Sequence, residues 1–317
     1  MANLENISGV IYLLMAAFLP PIYIRIIYIF VTRQKYRKLE CYRLMAQIGI
    51  MQLMVAPITV LGGMRRVFDV DPLNLTEISL KLASISIKVE AILSLVLAMN
   101  RLRMICGLKY PDAVHTVIVA LSYTYGLGLF VVLMSPWANF RMPTGSFMGR
   151  YDFSLPLTYY AALSASSVML CSTACTFAIY VVIICYLSRL RSQAVIIKHY
   201  KRERTILVYA VIRFVTDMTL LILFNFFKLP DEPWVGISIY TAYGLNNLLL
   251  SPLLYLSLHK AIRRDFFGMT EIQGKQSSSE KQHKRSCEPR TTMCLVVTGH
   301  DYGDDPESRI CERSSVI

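Results

Sequence analysis

Long apolar stretches alternate with short polar ones along most of the chain, and seven of them have the length that matters. They cover residues 10–31, 42–63, 78–102, 114–136, 157–187, 206–227 and 235–258. A hydrocarbon layer about 30 Å thick is crossed by about 20 mainly apolar residues in a helix. Each stretch therefore predicts one membrane span. The expected fold is an all-α membrane protein, a seven-transmembrane helix bundle over residues 10–258, preceded by a short extracellular N-terminus at 1–9. The first stretch lacks a preceding basic region and is too long for a cleavable signal, so it is expected to stay as an anchor.

Two interruptions change this picture. Lys81, Lys88 and Glu90 break the third stretch, and Pro252 sits inside the seventh. A proline in a soluble helix interior costs about 3 kcal/mol, but in a bundle within lipid the carbonyl it frees can be paired by neighbouring helices. A kinked seventh span is expected. The run after it, HKAIRRDFFGM, carries Lys260, Arg263 and Arg264 with Ile262, Phe266 and Phe267. It predicts a short amphipathic helix at 259–268, basic groups toward lipid headgroups and the apolar trio dipping into the boundary. Residues 269–317 turn polar and rich in Ser, Lys and Glu, a composition that buries too little surface to fold, and predict a disordered cytoplasmic tail.

Composition agrees with a lipid solvent: 55% of the 317 residues are apolar and 17% charged. The net charge of +12 would suggest nucleic acid in a soluble protein, but its placement matters more than its sum. Arg33, Lys35, Arg37 and Lys38 fill the first connection, Arg101, Arg103 and Lys109 the third, and residues 189–204 carry six more basic side chains in the fifth. The alternate connections hold few basic residues, offset by Asp69, Asp71, Asp152, Asp231 and Glu232. The excess of Lys and Arg on one side orients the N-terminus outward and the C-terminus to the cytosol. Both N-x-S/T sequons, at Asn6 and Asn74, fall on the predicted outer side and are possible glycosylation sites. No cysteine lies in an outer connection, so no extracellular disulfide is expected.

SPLLY at Ser251 to Tyr255 closes the seventh span, and Asn100-Arg101 closes the third. With seven spans and a basic third inner loop, these resemble a G-protein-coupled receptor. The resemblance places Pro252 and Tyr255 in the Asn-Pro-x-x-Tyr motif and Arg101 in Asp/Glu-Arg-Tyr. It implies that Arg101 faces the cytosolic cavity and that Tyr255 switches partners on activation. Departures are plain: Asn100 stands for the acid that restrains the arginine, Leu102 for the tyrosine and Ser251 for the asparagine, and the family's cysteine pair is missing. LAMNRLRMI, CYRLMAQIGIMQLM and SPLLYLSLHKAIRRDF narrow the match. They are similar to the nematode serpentine chemoreceptors, gamma superfamily, classes T, V and XA.

Ionisable residues at membrane depth are functional candidates because each costs a few kcal/mol to bury. Lys88, Glu90, Arg213 and Asp217 qualify. Spans three and six neighbour each other in the receptor fold, so Lys88 and Asp217 are expected as an interhelical pair near a pocket floor. Alternatively, Arg213 and Asp217, four residues apart, satisfy each other on one helix face. Arg25 is expected to reach the inner headgroups. Tyr159, Tyr160, Trp234 and Tyr240 are expected either in an interfacial belt or at a pocket mouth.

Metal spacings, phosphate-binding glycine loops and nucleophilic triads are lacking, so neither an enzyme nor a cofactor is expected. The expected function is a chemosensory receptor that binds an external small molecule and activates a heterotrimeric G protein from the plasma membrane, including that of a sensory cilium. Membrane lipids are partners and nucleic acid is not. The alternatives are a small transporter or ligand-gated channel, or a peptide-binding receptor.

Overall fold

The computed structural model describes residues 2–69, 71–111, 113–142, 149–191, 197–226 and 232–268. Seven spans form the bundle: α1 (Ala2–Thr32); α3 (Glu40–Leu53) with α4 (Ala56–Phe68); α5 (Leu75–Cys106); α6 (Ala113–Met134); α7 (Thr158–Arg191); α8 (Ile197–Phe226); and α9 (Pro233–Leu245) with α10 (Ser251–Leu258). Helix α2 (Gln34–Arg37) lies in the first inner connection and α11 (Lys260–Phe266) follows the last span. Five of these spans are long and apolar enough to cross a membrane on length and hydropathy alone. The sixth begins with the charged run KHYKRER, and the seventh is divided by a change of helix type. Residues 192–196 of the basic fifth connection and the expected tail, 269–317, lie outside the described residues.

Three elements differ from the sequence expectation. Helix α1 starts at Ala2, so 2–9 are helical rather than a separate segment. It lies close against α4: a Cβ on Gly9 would meet Val67 Cγ2 at 2.7 Å and the Gly63 carbonyl oxygen at 3.1 Å. Small residues permit that approach, which in lipid supplies the van der Waals contact that holds helices together.

The second span is broken. Pro57 has no N–H and its ring crowds the carbonyl of the preceding turn. Ahead of it the backbone tightens, with Met54 N bonding Met51 O at 3.1 Å and Val55 N bonding Gln52 O at 3.2 Å. The break divides α3 from α4 and leaves Val55, Ile58 and Thr59 facing a cavity.

The seventh span changes to a π-helix over Asn246–Leu250 immediately before Ser251 and Pro252. One extra residue in this turn shifts backbone carbonyls from their usual partners. The Asn246 carbonyl accepts Nη1 of Arg213 from the sixth span.

Outside, a two-residue hairpin pairs Phe140 with Tyr151 and Arg141 with Arg150. Arg141 Nη2 meets Asp152 Oδ2 at 2.8 Å. Hydrogen bonds from Ser154, then the guanidinium, hold the part-buried Asp152 carboxyl below its usual range. Burial pushes the Tyr151 hydroxyl up to about 12.

Helix α11 docks on protein rather than only on lipid. Ile262 is fully buried, Phe266 lies under the Arg25 guanidinium at 4.8 Å, and Phe267 alone of the apolar trio stays largely exposed. The guanidinium of Arg25 thus tops an aromatic ring of α11. The anchor is Asp265, buried among basic neighbours: its Oδ2 lies 2.6 Å from Lys35 Nζ and accepts Tyr36 Oη at 2.8 Å. Burial, then the bond to the Asp265 carboxylate, raises the Tyr36 hydroxyl above its ordinary value. A raised acid stays protonated, so this link is fully present below about pH 10 and is lost only as pH climbs through the higher folded-state value.

Asp265→Ala is expected to release α11. Bonds to a charged group are worth about 1.5–3 kcal/mol. Backbone hydrogen exchange over 260–267 should accelerate at least several-fold, and unchanged exchange would show that Ile262 and Phe266 suffice.

Candidate functional site

A polar layer crosses the bundle where lipid-spanning helices are otherwise apolar. On α5, Glu90 shares a stripe with Ile87, Ala91, Ser94 and Leu97, which line a narrow inner cavity of about 70 Å³. Its Oε1 lies 2.7 Å from Nη2 of Arg213 on α8 and accepts Gln52 Nε2 at 2.6 Å from α3. Gln52 in turn accepts the Tyr23 hydroxyl from α1. Arg213 continues the chain, with Nε 3.1 Å from Asp217 Oδ2 one turn on, and Nη1 and Nη2 each 3.1 Å from the Asn246 and Asn247 side-chain oxygens. Asn246 Nδ2 closes the loop on Asp217 Oδ1 at 2.7 Å.

Spans one, two, three, six and seven therefore share one hydrogen-bonded core. Glu90, Arg213, Asn246 and Asn247 are all buried. An ion pair in so dry a setting holds only when its remaining donors and acceptors are also bonded, and the carboxamides supply that.

Among the described residues, the ion pair between spans three and six is Glu90 with Arg213, not Lys88 with Asp217. At about 100° per residue, Lys88 and Glu90 sit roughly 200° apart around α5 and face different sides of the helix. The alternative Arg213–Asp217 contact is present, as one arm of this larger cluster. Lys88 instead turns to its own helix, Nζ donating to Ser84 O at 2.9 Å and Ser84 Oγ at 2.7 Å.

Lys88 lines a second, larger cavity of about 360 Å³. Spans two, three, five, six and seven wall it, and Phe140, Gly149 and Tyr151 of the outer hairpin roof it. Ile87, Met169, Leu221 and Tyr243 belong to both cavities, so the two share a wall. Tyr240 lines the larger cavity and packs on Tyr12 at 4.7 Å, with the Arg66 guanidinium 4.9 Å from the Tyr12 ring. Tyr159, Tyr160 and Trp234 remain mostly exposed, where an interfacial belt would place them.

At the inner end, Tyr255 is wholly buried, its hydroxyl accepting Tyr209 Oη at 2.9 Å while the two rings stack 4.8 Å apart. Tyr209 Oη also reaches Ser251 Oγ at 3.3 Å, and Pro252 is buried beside them. Arg101 and Asn100 are buried at the end of α5. Asn100 has a carboxylate after all: its Nδ2 donates to Glu40 Oε2 at 2.7 Å, and Glu40 Oε1 lies 2.8 Å from His115 Nδ1 on α6. Tyr110 Oη bonds the other ring nitrogen of His115 at 2.7 Å, and Arg103 lies over the Tyr110 ring at 5.1 Å. Arg103 is therefore packed on protein rather than simply facing headgroups.

Asn6 is exposed on α1, and its sequon hydroxyl, Ser8, is buried on Glu5 O at 2.8 Å. Asn74 is exposed at the start of α5 with φ of 54°, followed by a buried Thr76.

Gln52, Asn246, Asn247 and Glu40 were not singled out by sequence reasoning. A signal existed for the first three, since carboxamides within apolar runs need partners as charges do.

Seven spans, a roofed cavity open to five of them and a buried polar core above an inner Arg and Tyr define a seven-transmembrane receptor. The family model for serpentine type 7TM GPCR chemoreceptors, Srt, matches residues 2–279, and the chain belongs to that family. No curated protein matches it in sequence. Among solved structures, the crystal structure of squid rhodopsin is similar, with a TM-score of 0.69 and 9% identity over 92% of this chain and 93% of that one. At that identity the likeness is one of fold.

Proposed function

We propose that the chain is a chemosensory receptor that binds an external small molecule in the larger cavity and activates a heterotrimeric G protein from the plasma membrane, including that of a sensory cilium. The observation that carries this reading is the wall common to both cavities: Ile87, Met169, Leu221 and Tyr243 touch the outer cavity and the space around Glu90, Arg213 and Asp217. A ligand filling the outer cavity bears on side chains that also bound the polar core. It shifts the equilibrium only as far as it binds the active arrangement more tightly. The polar core reaches Asn246 and Asn247, a turn above Ser251 and Tyr255, so repacking there changes the inner ends of spans six and seven.

The test is nucleotide exchange on a heterotrimeric G protein in membranes carrying the full-length chain, with volatile and water-soluble cues applied outside. Cue-dependent exchange supports the reading. A cue-gated current that persists without G proteins would replace it with a channel.

Glu40 offers a sharper prediction. It ties spans two, three and four through Asn100 and His115, so Glu40→Ala should loosen the inner ends and raise basal signalling several-fold per receptor at the surface. Basal signalling equal to wild type would show that this carboxylate does not restrain the resting state.

A further inference from the structure

The larger cavity contains a charge that no carboxylate among the described residues answers. Among the described residues lining it, Lys88 is the only ionisable side chain other than tyrosine; the rest is mainly apolar, with Val55, Ile58, Leu80, Ile87 and Met169 among it. Elsewhere in the bundle comparable charges are met: Lys81 Nζ lies 2.8 Å from Glu77, and Arg213 has both Glu90 and Asp217. Among the described residues Lys88 meets the two neutral oxygens of Ser84. No carboxylate among the described residues pairs with it, and helix rotation turns Glu90 away. An ammonium held at membrane depth without a counter-ion is costly, and such residues are retained where something else supplies the partner. A second donor, a neutral one, lines the same cavity: the Tyr151 hydroxyl in the roof.

We propose that the larger cavity binds a small amphiphilic acid, its carboxylate paired with the Lys88 ammonium and its apolar tail against the aliphatic and aromatic wall. This rests on reading the cavity as the receptor's ligand site. A single cation suits a monoanion; a phosphate carrying two charges would be left half-compensated, and an amine would be repelled. At about 360 Å³ the cavity is many times the roughly 10–15 Å³ that a single water needs, which leaves room for a small organic acid rather than only an ion or a water.

The test uses the full-length receptor in nanodiscs of phosphatidylcholine alone, which removes anionic lipid as a competing source of charge. Octanoate, octanol and octylamine are added at matched concentrations and the thermal unfolding midpoint is read, because a ligand that binds only the folded state raises it. Octanoate should raise the midpoint more than octanol, and octylamine least. Lys88→Met should remove the excess for octanoate, weakening its apparent affinity roughly ten- to hundredfold while sparing octanol, and Lys88→Arg should retain it.

Equal shifts from octanoate and octanol in the wild type would overturn the proposal without recourse to any variant. So would an octanoate excess that survives in Lys88→Met, or no shift with any of the three. Nucleotide exchange measured on the same nanodiscs separates the two readings. Lys88-dependent binding without exchange refutes coupling but not the acid site, whereas exchange driven by a neutral cue, with no Lys88-dependent midpoint shift from octanoate, refutes the acid site alone.

Discussion

Arg213→Met should cost the folded bundle about 3–5 kcal/mol, the usual effect of removing one partner of a buried ion pair. The guanidinium contacts Glu90 and Asp217 and donates to Asn246 and Asn247, so truncation strands a buried carboxylate and leaves two side-chain amides and a π-helix carbonyl short of a donor. Thermal unfolding in lipid should drop steeply and surface expression should fall with it. Pairing the change with Glu90→Gln should recover a good part of the loss, because Gln52 then faces a neutral partner rather than a stranded charge. An Arg213→Met effect no larger than that of Thr219→Ala, an exposed hydroxyl on the same helix, would show that the network contributes little to stability.

Arg101→Ala should reduce agonist-driven nucleotide exchange roughly ten- to hundredfold per receptor at the surface, as lost charge-assisted bonds to a docking partner would. The resemblance assigns this arginine the inner mouth of the bundle, and it is buried at the end of the third span next to Asn100. A planar guanidinium with several donors can meet the backbone carbonyls of an inserted helix. Arg103→Ala removes a cation stacked on Tyr110 and should cost far less signalling. Comparable mild losses from both, at matched surface expression, would reduce Arg101 to one of the basic charges that orient the chain. Neighbouring Asn100 was expected to leave the arginine unrestrained, yet it is bound to Glu40, sixty positions earlier. Restraint of this end of the bundle thus runs through the second span, and Glu40→Ala and Arg101→Ala should push signalling in opposite directions.

The spans were legible, and an irregularity of the seventh near Pro252 with them, because lipid burial is a property of consecutive residues: about 20 apolar positions in a row cross the membrane whatever their neighbours do. Basic loops and proline act equally locally. Which charges meet was not legible. Lys88 and Glu90 are two positions apart on one helix, and rotation alone sends one into the outer cavity and the other to Arg213. Asp265, a lone acid in a basic run, looked like part of a lipid-facing helix until α11 docked it on Lys35 and Tyr36. Gln52 and Asn246 lie in different apolar runs, and the packed bundle brings them to one layer around Glu90 and Arg213. Such partnerships depend on the rotation, depth and bending of several helices at once, quantities set by packing among spans far apart in sequence.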